Sequence, residues 1–225
     1  MKRNCSLKDI SDGRLYELND IVEVGCDGCQ GEPACCHGMG NSIVLDPFDV
    51  YRMTSGLDIT FEQLLAYMLE LTVVDGVILP NLKMAGEQEA CAFLNQEGRC
   101  SIHVHRPGIC RIFPLGRYYE NHDFSYFLQV QECPCKETKP VKAGRWIDTP
   151  NLAKNKQFLI DWHYFLNEVE ELLKNTQEPE LVKRINMYVL NSFYGKPYQT
   201  EVEFYGQFRE RLSEAQSVLF PPESN

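Results

Sequence analysis

Hydrophobic and polar positions divide the chain into two regimes. From residue 151 onward apolar side chains recur at helical spacing. Phe158, Trp162, Phe165, Leu166, Val169, Leu172 and Leu173 mark one helix, Leu181, Ile185, Tyr188 and Val189 a second, and Tyr205, Phe208, Leu212, Ala215 and Leu219 a third. Packing among helices explains these aromatic stripes more simply than a cofactor pocket does. Upstream the apolar runs are short. Ile21-Val22-Glu23-Val24 and Ser42-Ile43-Val44-Leu45 read as strands, and Asp123 to Val130 as a longer one. Asp46-Pro47 opens a helix that Gly56 is expected to end, because Asp caps and Pro suits the first helical position. Thr60 and Gln63 form a capping box for a helix to about Leu69, with Phe61, Leu64, Leu65 and Met68 on one face. Thr72-Val73-Val74, Asp75-Gly76 and Val77-Ile78-Leu79 give a hairpin signal, since Asp-Gly tolerates the positive φ of a tight turn.

The pattern predicts an α+β protein: a small irregular domain with short strands and helices, followed by an α-helical C-terminal region. Residues 1–140 are assigned to the first domain, 141–150 to a linker and 151–225 to the helical region. The helices after Asp46 are expected to cover the cysteine loop that precedes them.

Cysteine changes this picture most. The chain has 225 residues and ten cysteines, none after residue 135. Cys26, Cys29, Cys35 and Cys36 crowd one turn-rich loop, where Gly28 lets the Cys-x-x-Cys step fold two sulfurs toward one soft ion. The adjacent Cys35 and Cys36 diverge and do not easily complete the same tetrahedron, so further ligands are expected downstream. Cys91 and Cys100 face each other across a hairpin-like excursion turned by Asn95-Gln96-Glu97-Gly98; Cys110, Cys133 and Cys135 follow, and Cys5 stands apart. The first residues lack the apolar core of a signal peptide, and no apolar run reaches the ~20 residues a membrane span needs. The expected setting is cytoplasmic, where clustered thiols point to metal rather than disulfides.

Charge narrows the partners. A net charge of −10 without a Lys/Arg run disfavours nucleic acid and anionic membrane surfaces. No phosphate loop, dinucleotide fingerprint or Gly-x-Ser-x-Gly elbow is present, and no acid–base pair can be named. His103 and His105, two apart, share a face if their segment is a strand and then offer imidazole ligands; His37 follows Cys36 directly. The simpler reading of His103 and His105 is half-exposed strand positions.

The ordered series Cys26-x2-Cys29-x5-Cys35-Cys36, Cys91-Ala92-Phe93-Leu94, Gly98-Arg99-Cys100-Ser101-Ile102, Arg106-Pro107-x2-Cys110-Arg111-x-Phe113-Pro114 and Cys133-Pro134 resembles the YkgJ-type cysteine-cluster family over residues 20–140. That resemblance implies a zinc- or iron-chelating domain with Cys26, Cys29, Cys35, Cys36, Cys91, Cys100, Cys110 and Cys133 as metal ligands. Three features depart from the pattern: residues 30–34 lengthen the first loop, His103 replaces a common aromatic residue, and Cys135 extends the Cys-Pro ending. Thiolate suits zinc and iron alike, and Arg99, Arg106, Arg111 and Arg117 are placed to offset thiolate charge. Flagellin lysine N-methylases carry a similar cysteine region associated with an iron–sulfur cluster. The resemblance therefore implies an iron–sulfur cluster or iron, with zinc as the alternative. It also opens two other roles: a protein-modifying enzyme like those methylases, and an electron-transfer or metal-delivery module.

Overall fold

A computed structural model of the chain describes residues 6–25, 34–130, 132–133 and 137–221. The mixture of helix and strand is α+β, with a helical C-terminal region, as the pattern predicts. The chain forms two compact units: residues 1–43 with 83–153, and residues 44–82 with 154–225. The chain thus leaves the cysteine region after Ile43 and returns at Lys83.

In the first unit the strand Ile21–Gly25 pairs antiparallel with Lys139–Lys142, Val22 opposite Val141. The residues expected to be a linker therefore hold ordered structure, because Lys139–Lys142 is a strand and Ala143–Ile147 a helix. Pro140 is compatible with that strand because a two-stranded ribbon leaves an outer edge that needs no N–H donor. The helix is tied back by Ala143 N–H to Asp20 O at 2.9 Å and Gly144 N–H to Leu18 O at 2.8 Å. A hairpin, Leu115–Glu120 with Asp123–Leu128, turns through Asn121 and His122, both at positive φ. Both residues belong to types that tolerate the left-handed region. Val22, Ile112, Leu115, Phe124, Ala143 and Ile147 are buried at the centre of this unit.

The second unit contains the helices Pro47–Leu57 and Phe61–Tyr67, the hairpin Leu69–Val74/Val77–Leu82, and three long C-terminal helices. The first two therefore belong to one compact unit with the C-terminal helices. Both capping boxes are formed, Asp46 with Asp49 and Thr60 with Gln63. The first helix runs past Gly56 and is stopped by Asp58 in the left-handed conformation. Asp75 and Gly76 make the hairpin turn with φ of 51° and 88°, as that dipeptide favours. Ser42–Leu45 forms no strand; it meets the hairpin through an isolated bridge, Val44 to Asn81, and through Leu45 N–H to Pro80 O at 2.9 Å.

The helix Leu152–Asn175 carries Phe158, Trp162, Phe165 and Val169 inward, and Pro179–Leu190 and Phe204–Leu219 close over them. Phe158 meets Phe208 edge-on at 4.6 Å, and Trp162 meets Phe193 at 4.9 Å. The aromatic stripes are thus core, as read. Asn186 locks helix to hairpin: its Oδ1 accepts from Ile78 N–H at 2.7 Å and its Nδ2 donates to Gly76 O at 3.3 Å. No helix among the described residues is long and apolar enough to cross a membrane.

Candidate metal centre

Three chain segments are stitched side by side in the first unit, and each carries cysteine. Asn95 builds the tightest turn. Its Oδ1 accepts from Glu97 N–H at 3.1 Å and Arg99 N–H at 2.8 Å, and Gly98 takes φ 70°. Leu94 is thereby bridged to Cys100, and Ser101 N–H reaches Phe93 O at 2.8 Å. The second segment, Ala90–Cys91, pairs antiparallel with Met84–Ala85. The third is the short 3-10 turn Ala34–Cys36, fastened to the second by a bridge from His37 to Ala90 and by Gly38 N–H to Glu89 O at 3.0 Å. Cys35, Cys36, Cys91 and Cys100 are brought into one neighbourhood in this way.

Their ionisation reports that closeness. Cys35 is pulled down to about 6 because Cys36 hydrogen-bonds to it, with Arg106 and His37 adding positive charge. Cys36 moves up for the same reason, raised further by burial and by charge on Cys35, Cys91 and Cys100. Cys91 is raised by burial and then by Cys100 and Cys35; Cys100 is raised by burial, against the pull of Arg106. None of the six described cysteines is in a disulfide. With the thiols so arranged, no three His, Cys, Asp or Glu side chains among the described residues converge closely enough to hold an ion.

The other expected ligands are placed as follows. Cys110 is half-buried on the helix Gly108–Ile112, which Trp146 anchors by donating to Ile112 O and Phe113 O at 3.2 and 3.1 Å. Cys133 is half-buried beyond the hairpin. Cys26 and Cys29, together with Cys5 and Cys135, lie outside the described residues.

His103 and His105 lie on a 3-10 turn, His103–His105, not on a strand, so a shared strand face is ruled out. His103 Nε2 contacts Arg106 Nη1, and a guanidinium can only donate. The imidazole is then the acceptor, with its proton on Nδ1, and burial with Arg106, Arg111 and Arg99 depresses its basicity. His37 has the opposite tautomer. Its Nδ1 lies 3.3 Å from Gln88 O, a carbonyl that only accepts, so Nε2 keeps its lone pair in the neutral ring.

The arginines also separate. Arg106 acts on Cys35 and Cys100, whereas Arg111 is bound to main-chain oxygens and Arg117 lies over the Phe124 ring at 5.8 Å. Sequence reasoning gave them a common role and had no signal for the contact of Glu89 and Ala90 with His37 and Gly38. The only hint was Gly86, which turns the polar run before Cys91.

Short hydrogen-bonded loops thus carry the described cysteines of this region. Residues 25–137 match the CxxCxxCC family model, described as a "putative zinc- or iron-chelating domain", and the chain belongs to that family. Comparison with curated proteins and with solved structures gives no match. The family supports metal binding. The described cysteines are free of disulfides, and their sulfurs are soft donors of the kind that zinc and iron both accept.

Proposed function

We propose that the protein holds an iron–sulfur cluster or iron, with zinc as the alternative, on thiolates from Cys26, Cys29, Cys35, Cys36, Cys91, Cys100, Cys110 and Cys133. The observation that carries this reading is the stitching of Cys35, Cys36, Cys91 and Cys100 into one neighbourhood by three adjacent loops. Of the described cysteines, these four form the primary group. Cys110 and Cys133 join with Cys26 and Cys29 as the remaining ligands.

Cys35 enters as the anion, since its thiol is the most acidic of the four. Cys36, Cys91 and Cys100 give up protons only as metal arrives, so binding and proton release are coupled. A bound iron–sulfur cluster would supply one-electron chemistry, and zinc would supply a structural cross-link. Unpaired thiols at this density suit a reducing, cytoplasmic setting.

Anaerobic purification followed by elemental analysis and a visible spectrum tests the reading. Iron with acid-labile sulfide and brown colour supports a cluster, and zinc in a colourless protein supports the alternative. Protein that contains neither, and takes up neither after reconstitution, contradicts both.

A further inference from the structure

The hairpin Leu69–Val74/Val77–Leu82 has two outer edges, and they are treated differently. Hydrogen-bonded and non-bonded residue pairs alternate along an antiparallel ladder. Leu71 faces Pro80, which has no N–H to give, and Val73 faces Ile78, whose N–H donates away from the ladder to Asn186 Oδ1 at 2.7 Å. Pro80 O likewise turns outward, to Leu45 N–H at 2.9 Å. Asn186 and Leu45 thus occupy the outer side of Val77–Leu82. By the same alternation the N–H and C=O groups of Leu71 and Val73 point out from the opposite edge, and no hydrogen bond from another described residue reaches them.

Open edges in folded proteins are ordinarily blunted by Lys, Pro, a bulge or brevity. Leu69–Val74 is six residues long, pairs without a register shift and contains neither Lys nor Pro. Leu69, Leu71 and Val73 share one face, and their exposure rises from 2% to 39% to 68% toward the turn. A single exposed apolar side chain is ordinary. Two on one face, on the very residues whose main-chain groups are open, make the pattern of a sheet that takes an added strand.

Charge selects the occupant. From Met53 to Leu82 the chain has no Lys or Arg, and it carries Asp58, Glu62, Glu70 and Asp75. Glu70 lies on the open strand itself. The buried Asn81 donates from Nδ2 to Glu70 Oε1 at 3.0 Å and accepts at Oδ1 from Thr72 Oγ1 at 2.9 Å, which fixes that carboxylate on the face opposite Leu71 and Val73. A second copy would bring two such acidic edges together, on chains of net charge −10 each. A basic strand would be attracted instead.

We infer that Leu69–Val74 is a docking edge for an extended segment of a partner protein. That segment alternates apolar residues, laid beside Leu71 and Val73, with Lys or Arg on the face of Glu70. The surface belongs to the second unit and is independent of the metal reading above.

A displayed library of random peptides of about eight residues, a strand's length, selected on the full protein tests this. The enriched peptides are expected to alternate apolar residues with Lys or Arg and to slow hydrogen exchange at the Leu71 and Val73 amides. Leu71→Pro removes one outward N–H that makes no ladder bond, and is expected to weaken these peptides roughly 10-fold. Glu70→Gln keeps an oxygen for Asn81, and is expected to weaken them less while flattening their salt dependence.

No enrichment, enrichment of acidic peptides, or peptides that bind Leu71→Pro as tightly as wild type would overturn the inference. A dimer in sedimentation that Leu71→Pro dissociates also overturns it, because a second copy then takes the edge. Should Leu71→Pro fail to fold, the peptide backbone decides. N-methylation of alternate amides is expected to abolish binding in one alternation and spare it in the other, and equal effects of the two overturn an added strand.

Discussion

Arg111 Nη1 donates to the carbonyl oxygen of Asp148 at 2.9 Å, across 37 positions of sequence. The same guanidinium holds Val104 O and Arg106 O, so one buried side chain satisfies three main-chain acceptors. Arg111→Ala removes all three bonds, although Val104 and Asp148 are exposed residues whose carbonyls water can reach. The expected loss is about 1–3 kcal/mol, read as a lower denaturant midpoint with an unchanged slope. Arg111→Lys is expected to fall between, because an ammonium cannot reach all three oxygens from one position. A midpoint for Arg111→Ala equal to wild type would remove the clamp from the account.

Gly116 lies opposite Phe127 in the hairpin, and a Cβ there would come within 2.6 Å of the ring's Cε1. No real Cβ tolerates that approach. Gly116→Ala is expected to cost about 1–3 kcal/mol, the range for overpacking a filled site. The double change with Phe127→Ala should cost less than the sum of the two single changes, because removal of the ring opens the space. Additive losses, measured by chemical unfolding, would argue against the contact.

Three tyrosines in the second unit predict its alkaline limit. Tyr194 is fully buried and its hydroxyl donates to Leu45 O at 2.9 Å; burial, with Asp46 adding, raises it well above its ordinary range. Burial also raises Tyr198 and pushes Tyr205 up to about 12. In the unfolded chain all three ionise near pH ~10. Above that pH the folded form keeps protons that the unfolded form has lost, so stability is full below about pH 10 and declines as pH rises toward 12. Denaturant midpoints between about pH 9 and about pH 11, followed alongside tyrosinate absorbance, check this. Tyr205→Phe is expected to flatten the decline. A stability independent of pH over that range, with all tyrosines titrating normally, would contradict it.

The helix N-terminus at Asp46 gives a simpler expectation. Its side chain accepts from Asp49 N–H at 2.8 Å while Asp49 Oδ2 accepts from Asp46 N–H at 3.2 Å. Asp46→Ala should cost about 1 kcal/mol of stability, and Asp46→Asn much less, since amide oxygen caps nearly as well. Equal thermal midpoints for all three proteins would mean that the box contributes nothing.

Wherever local chemistry decides structure, the fold could be read from the chain. Thr60 with Gln63, Asp46 with Pro47, and Asp75 with Gly76 specify caps and a turn within four residues, and each is formed. The C-terminal stripes worked because a long amphipathic period has one solution. Long-range pairing was less accessible. Nothing local in Lys139–Lys142 announces Ile21–Gly25 as its partner, and the prolines at 140 and 150 suggested a linker instead. The excursion of residues 44–82 into the second unit is invisible for the same reason, since Ser42–Leu45 reads as a strand whichever unit receives it. Within the candidate site, cysteine type and spacing marked the residues. The side-by-side placement of His37 with Ala90, which gathers the sulfurs, depends on main-chain bonds between polar loops and leaves no periodic trace.

The central claim is that Cys35, Cys36, Cys91 and Cys100 hold metal as one group. The direct measurement is the metal-to-protein ratio of anaerobically purified wild type beside Cys91→Ser and Cys100→Ser, with thermal unfolding of each before and after chelation. The account predicts bound iron or zinc in wild type, a large loss of metal in either variant, and a fall in thermal midpoint on chelation that only wild type shows. Wild-type metal content in both variants, or a wild-type protein whose unfolding ignores the chelator, would contradict it.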